Sequence, residues 1–228
     1  MLIYAHRGAS RDYPELTAAA YHGAVAQGAD GFECDLRLSR DEVPLLWHNA
    51  SLEERTSHPG LVGEMRFIDI KRVYPDLLTL DEFFDIALAS RRGVLLETKH
   101  PVLSGNRIEE IVAEKIESRK ILEQIDLSVI SFSWNAIEKM HRLNHKIPTG
   151  FLIRKGFPFF SSRLSSATAV AINIAQVRAK PEIIERVRSS GKKAIVWTVD
   201  EERDVRFCRD LGVDILITNK PAQARSFL

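Results

Sequence analysis

The stretch GFECDLRLSRDEVPLLW, Gly31 to Trp47, holds two strand-like runs, Gly31–Leu36 and Val43–Trp47. Only Ser39, Arg40, Asp41 and Glu42 separate the second run from Leu38. A parallel crossover needs about a dozen residues, so Val43–Trp47 must fold back as an antiparallel hairpin arm. Setting it aside leaves eight runs rich in Ile, Val, Leu and Phe: Leu2–Ala5, Gly31–Leu36, Gly93–Thr98, Leu127–Phe132, Thr149–Ile153, Ala169–Ile174, Lys193–Val199 and Asp214–Thr218. Such runs suit strands covered on both faces. Helical patterns lie between many of them, at Thr17–Gln27, Leu80–Ser90, Arg107–Lys120, Ala136–Leu143, Pro181–Ser189 and Glu201–Leu211. Eight parallel strands with helices between them predict an α/β fold, a TIM-like (β/α)8 barrel. The β-hairpin excursion (residues 35–48) follows its second strand and rises over the C-terminal mouth. Nothing resembling a Pro-, Gly- or Ser-rich linker divides the chain, so residues 1–228 are expected to form a single barrel domain. No helical run is assigned after the last strand. Asp200 is the expected N-cap of the helix that begins with Glu201.

Lys and Arg number 32 against 31 Asp and Glu, a balance that does not advertise nucleic acid or an anionic membrane as a bulk partner. No run reaches the 18 or so apolar residues of a membrane span, and stable membrane insertion is not expected. The first residues, MLIYAH, read as a strand and not as a secretory signal. Cys34 and Cys208 fit no metal or redox spacing. These features together suggest the cytoplasm.

Glu33 and Asp35 bracket Cys34 within one run, so strand alternation places both carboxylates on one face. Two acids in an apolar strand need positive charge beside them. One divalent cation is the economical partner, and oxygen ligands favour magnesium or calcium, with manganese a third option. The other reading is a strand-end pair that meets water or arginine. Glu97 and Lys99 repeat the pattern at the end of Gly93–Thr98, offering a third carboxylate and a cation. Lys99 would oppose the excess negative charge or a bound phosphate, or form an ordinary strand-end salt bridge.

His6, Arg7 and Gly8 follow the first strand directly. His6 has the pKa range for proton transfer, and Arg7 the rigid fork for a phosphate. His48 ends the hairpin arm and is brought back toward His6, as an acid and a base around one phosphorus require. His100 is a reserve candidate. Glu15 opens the first helix either as a first-turn acid or leaning toward the metal or Arg7. Trp197 either lines the mouth, packing on a glycerol or choline group, or serves as barrel wall. The irregular stretch 154–166, RKGFPFFSSRLSS, would lie over the mouth, with Arg154 to Phe160 as an aromatic lid.

These residues resemble the glycerophosphodiester phosphodiesterase family. The resemblance is carried by His6-Arg7-Gly8, Pro14-Glu15-Leu16-Thr17, the stretch Gly28 to Asp35, Val43 to Asn49, Glu97-Thr98-Lys99, Trp197 to Asp200 and Gly212 to Pro221. It implies a barrel hydrolase that converts glycerophosphodiesters to glycerol 3-phosphate and an alcohol, in lipid or glycerol metabolism. It further implies that Glu33, Asp35 and Glu97 hold the divalent metal, that His6 and His48 are the acid–base pair, and that Arg7 and Lys99 lie at the phosphate. Glu15 and Trp197 join them as substrate-binding candidates. The expected partner is a small glycerophosphodiester.

Three positions depart from the family pattern. Leu16 stands for a polar Asn, which would remove a hydrogen bond near Glu15 and loosen its loop. Asn49 stands for Asp after the second histidine, and Asp200 for Asn after the Trp-Thr-Val run. The alternative functions are a lysophospholipase D-like enzyme, for which the aromatic segment would cover a lipid tail, and a non-catalytic phosphoester-binding barrel.

Overall fold

In a computed structural model, which describes residues 1–102, 104–153 and 165–228, strand β1 (Leu2–His6) pairs in parallel with both β2 (Gly31–Leu38) and β9 (Ile215–Thr218). That double pairing closes the sheet. The circuit runs through β4 (Gly93–Thr98), β5 (Leu127–Ser131), β6 (Thr149–Ile153), β7 (Ala169–Asn173) and β8 (Lys193–Trp197), all parallel. The ninth strand, β3 (Pro44–Leu46), is antiparallel to β2, with Leu36 opposite Leu46 and Leu38 opposite Pro44. The eight-stranded barrel with a hairpin after its second strand is therefore the observed architecture. The arm is shorter than the run Val43–Trp47, although a backbone bond from Trp47 N to the Asp35 carbonyl (3.0 Å) extends its attachment.

Alternation along each strand sorts the side chains. Phe32, Cys34 and Leu36 of β2 face outward into a core shared with Tyr21, Phe83 and Phe84 of the helices. Tyr4, Leu95, Ile130, Leu152, Ile195 and Ile217 point inward and fill the barrel with an apolar interior. At its floor the Tyr4 ring occupies the space over Gly31 and Gly93, where a Cβ at either position would overlap it. At the C-terminal strand ends acidic and basic residues take over this inward face.

Helices α1 (Ala18–Ala26) and α3 (Leu80–Ser90) start at threonine caps; Thr79 and Glu82 form a reciprocal capping box. The remaining larger helices are α4 (Arg107–Ser118), α5 (Trp134–Leu143), α7 (Glu182–Ser189) and α8 (Glu202–Asp210). Short helices α6 (Ile174–Ala179) and α9 (Pro221–Ser226) were not expected. In α9 a proline sits at the start, and Ala224 is buried against the β1 side of the barrel. The irregular region before α3 contains α2 (Phe67–Val73) and a satellite core of Leu45, Trp47, Leu52, Val62, Ile70 and Leu77.

Leu16 does not loosen its loop. It is fully buried at φ +59°, and its N–H donates to the Arg7 carbonyl at 2.9 Å. A hydrophobic anchor thus replaces the expected polar one. Asp200 does not cap α8 either: Glu201 holds the cap position and makes no side-chain cap bond. Both cysteines are free and buried. The proposed aromatic lid, Arg154 to Phe160, lies outside the described residues. Among the described residues no helix is long and apolar enough to cross a membrane.

Candidate active site

Register builds the site. His6 at the end of β1 is opposite Glu33 on β2, and Asp35 is opposite Glu97 on β4. All four follow inward-facing positions, so closure of the barrel gathers them at the mouth. One oxygen from each of Glu33, Asp35 and Glu97 lies within 4.8 Å of the others, and all three residues are buried. Gly8 turns the chain after β1 at φ +83°, where a Cβ would stand 2.6 Å from that of Ala20. This tight turn lets the Arg7 N–H reach the Glu33 carbonyl at 3.1 Å and Oε2 at 3.2 Å.

Two cations face the acids. Arg7 Nε lies 2.7 Å from Asp35 Oδ2 and Lys99 Nζ 2.7 Å from Oδ1, while Lys99 also donates to Glu97 Oε1 at 2.6 Å. Lys99 is thus both the strand-end salt bridge and the cation at the acid cluster. Each buried oxygen of Asp35 is met by one cation, and Lys99 hydrogen-bonds the carboxylate. Three buried carboxylates against two side-chain cations, with one oxygen of each acid within 4.8 Å of the others, form a hard-oxygen set that fits a divalent cation.

Burial penalises every charge here, and the partners decide which charges survive. Burial alone would raise Asp35, but Lys99 and Arg7 overcome it and bring its pKa down to about 2. Glu33 is pushed well above the usual carboxylate range by burial and then by Asp35. Glu97 rises to about 7, again through burial and Asp35, with Lys99 opposing. Without a metal, the cluster therefore favours keeping protons on Glu33 and Glu97.

The hairpin returns His48 to the level of Asp35, as its length requires. Arg37, the next inward residue after Asp35, donates from Nε to the His48 carbonyl at 2.9 Å. Burial lowers the His48 pKa to about 4 despite Asp35, while Asn49 adds a side-chain hydrogen bond. Burial also lowers His6, with Arg7 reinforcing the shift. Both imidazoles lie in the fields of Asp35 and Arg7. His6 Nε2 stands 4.0 Å from Glu33 Oε2, and its Nδ1 is 2.7 Å from Asn219 Oδ1.

Glu15 leans toward Arg7, accepting from Nη1 at 2.9 Å. Trp197 follows the inward position of Ile195 and meets Phe132 edge-on at 5.8 Å between centroids. It therefore lines the upper barrel interior. Reserve candidate His100 pairs with buried Glu109 at 2.9 Å, away from the carboxylate triad. Arg37, Asn219 and Asp200 were not singled out as site residues. Continuing the alternation from Glu33 and Asp35 to Arg37 would have exposed the first; the other two reach His6 only through barrel closure.

The sequence model of the Glycerophosphoryl diester phosphodiesterase family matches residues 6–223. A protein of Mycobacterium tuberculosis described as a probable glycerophosphodiester phosphodiesterase 1 is 32% identical over 251 aligned residues, covering 99% of this chain and 92% of its own length. Among solved structures, a putative glycerophosphoryl diester phosphodiesterase from Silicibacter pomeroyi superposes with a TM-score of 0.87 at 21% identity, covering 100% of this chain and 92% of that one. An Oleispira antarctica phosphodiesterase, solved with the product sn-glycerol-3-phosphate, gives a TM-score of 0.85 at 24% identity, with coverages of 100% and 96%.

Proposed function

The chain belongs to the glycerophosphoryl diester phosphodiesterase family, and from that premise we propose that it hydrolyses a small glycerophosphodiester to sn-glycerol 3-phosphate and a free alcohol, using one divalent cation and two histidines. The observation that carries this reading is the convergence of Glu33, Asp35 and Glu97 within 4.8 Å at the mouth. Those carboxylates would hold the cation. When bound, the cation supplies Lewis-acid charge to offset the growing negative charge on the phosphoryl oxygens.

The remaining work belongs to this chain's side chains. Arg7, fixed between Asp35 and Glu15, offers a pre-oriented cation for the phosphate. Lys99 keeps Asp35 ionised and balances the cluster. One imidazole accepts the proton released by the attacking oxygen, and the other donates a proton to the departing alkoxide. With both groups beside one phosphorus, the diester and water become a phosphomonoester and an alcohol with no net proton lost to the protein. Trp197 and Phe132 form the apolar wall against which the glycerol carbons pack.

The test is a matrix of magnesium, calcium and manganese against glycerophosphocholine and lysophosphatidylcholine, reading released glycerol 3-phosphate and, for the lipid, choline. Metal-dependent turnover of glycerophosphocholine supports the reading. Turnover of the lipid alone would reverse the substrate choice.

A further inference from the structure

Asp200 lies just beyond β8, and its carboxylate reaches across to the end of β9. Oδ1 accepts from Thr218 Oγ1 and from the Asn219 N–H, both at 2.8 Å. Oδ2 accepts from Asn219 Nδ2 at 2.6 Å. A carboxylate only accepts hydrogen bonds, so the Asn219 amide must present its NH2 to Asp200. Flipping that amide would set two oxygens against each other. The Asn219 oxygen is consequently directed the other way, toward His6 Nδ1 at 2.7 Å and Ser10 Oγ at 2.8 Å.

An amide oxygen has no proton to give. The contact with His6 is a hydrogen bond only when Nδ1 carries the proton. In a neutral imidazole the lone pair is then on Nε2, the nitrogen that looks toward Glu33 and the triad. We propose that Asp200 is a positioning residue: through Asn219 it holds His6 as the Nδ1–H tautomer, so that His6 accepts the proton of the attacking oxygen. The role of base rests on the hydrolase reading above, whereas the tautomer itself does not.

Replacing Asp200 by Asn removes the one-way constraint. The new side chain can offer its own NH2 to Asn219, allowing the Asn219 amide to turn and present a donor to His6 Nδ1. The Nε2–H tautomer then becomes available, which has no lone pair facing the site.

The experiment is 15N NMR of the histidine rings in the intact protein, with His6 assigned by its loss in His6→Gln. The wild type is expected to show a protonated Nδ1 and an unprotonated Nε2 in the neutral ring. Asp200→Asn and Asn219→Ala should each show a mixture or the opposite tautomer, with melting curves confirming that they fold. In the wild type a proton on Nε2, or an unchanged single tautomer in both variants, overturns the proposal. Kinetics give the second readout: Asp200→Asn should lower kcat by about tenfold or more with little change in KM, since a general base contributes about 10²–10⁴ in rate. Unchanged kcat would contradict the base assignment. The NMR arm uses neither substrate nor metal, so failure of the hydrolase reading would leave its result interpretable.

Discussion

Arg37 Nε donates to the carbonyl oxygen of His48 at 2.9 Å, tying the end of the hairpin arm to the strand that bears Glu33 and Asp35. A residue on a short excursion is thereby held to the rigid barrel wall. Replacing Arg37 by Met removes this bond while keeping much of the aliphatic stem. The expected result is a loss of about 1.5–3 kcal/mol of stability, the scale of a hydrogen bond from a charged donor. A drop in kcat should exceed any change in KM, because His48 loses its orientation and not its chemistry. Thermal melts and steady-state kinetics on the one variant check both.

Metal affinity should rise with pH through neutrality. Burial and Asp35 hold the Glu97 pKa up at about 7, and the same causes raise Glu33. Protons and a divalent cation compete for these oxygens. Below pH 7 the metal must displace more proton, so binding weakens; above it the competition fades. Calorimetric titration with manganese at pH 6 and pH 8, in buffers of different ionisation enthalpy, should show tighter binding at pH 8 and proton release on binding at pH 6. Equal affinity at the two values would rule out protonated ligands in the free site.

If His48 supplies the proton to the leaving alkoxide, His48→Ala should harm a poor leaving group most. An alkyl glycerophosphodiester should lose at least about 10² in kcat, while a nitrophenyl ester loses much less because its phenolate departs without help. Parallel assays on the two substrates provide the comparison. Equal losses would move that role away from His48.

Tyr4 makes the barrel floor sensitive to alkali. Burial, with Asp126 and Asp30 nearby, pushes its phenol up to about 12. The unfolded chain ionises this tyrosine near 10, so between pH 10 and 12 the unfolded state holds fewer protons and stability falls as pH rises. The contribution is fully present below pH 10 and lost through pH 12, amounting to roughly 2–3 kcal/mol for a shift of two units. Tyr4→Phe should flatten that part of the decline in urea-unfolding free energy; the other buried phenol, Tyr21, continues to contribute.

Much of this site could be read before any coordinates because its signals are local. Two-residue alternation paired Glu33 with Asp35 and Glu97 with Lys99, and the four residues between Leu38 and Val43 dictated the hairpin that returns His48. Features set by tertiary closure were opaque. Asn219 and His6 are 213 positions apart and meet only because β9 joins β1. Asp200 sits before a helix, where its residue type suggests a cap, yet the end of β9 offers it three donors. Leu16 looked like a lost polar contact because its burial depends on the outer core, which local pattern does not reveal. The six-residue helix α9 is too short for periodicity to register.

The most direct measurement is release of glycerol 3-phosphate from glycerophosphocholine by the wild type, Glu33→Gln and Asp35→Asn, each with and without added divalent metal and each checked by a melting curve. The wild type should turn over only with metal, and both folded variants should fall to background under every condition. Full turnover by both variants, or wild-type turnover indifferent to exhaustive chelation, would contradict a catalytic cation held by these carboxylates.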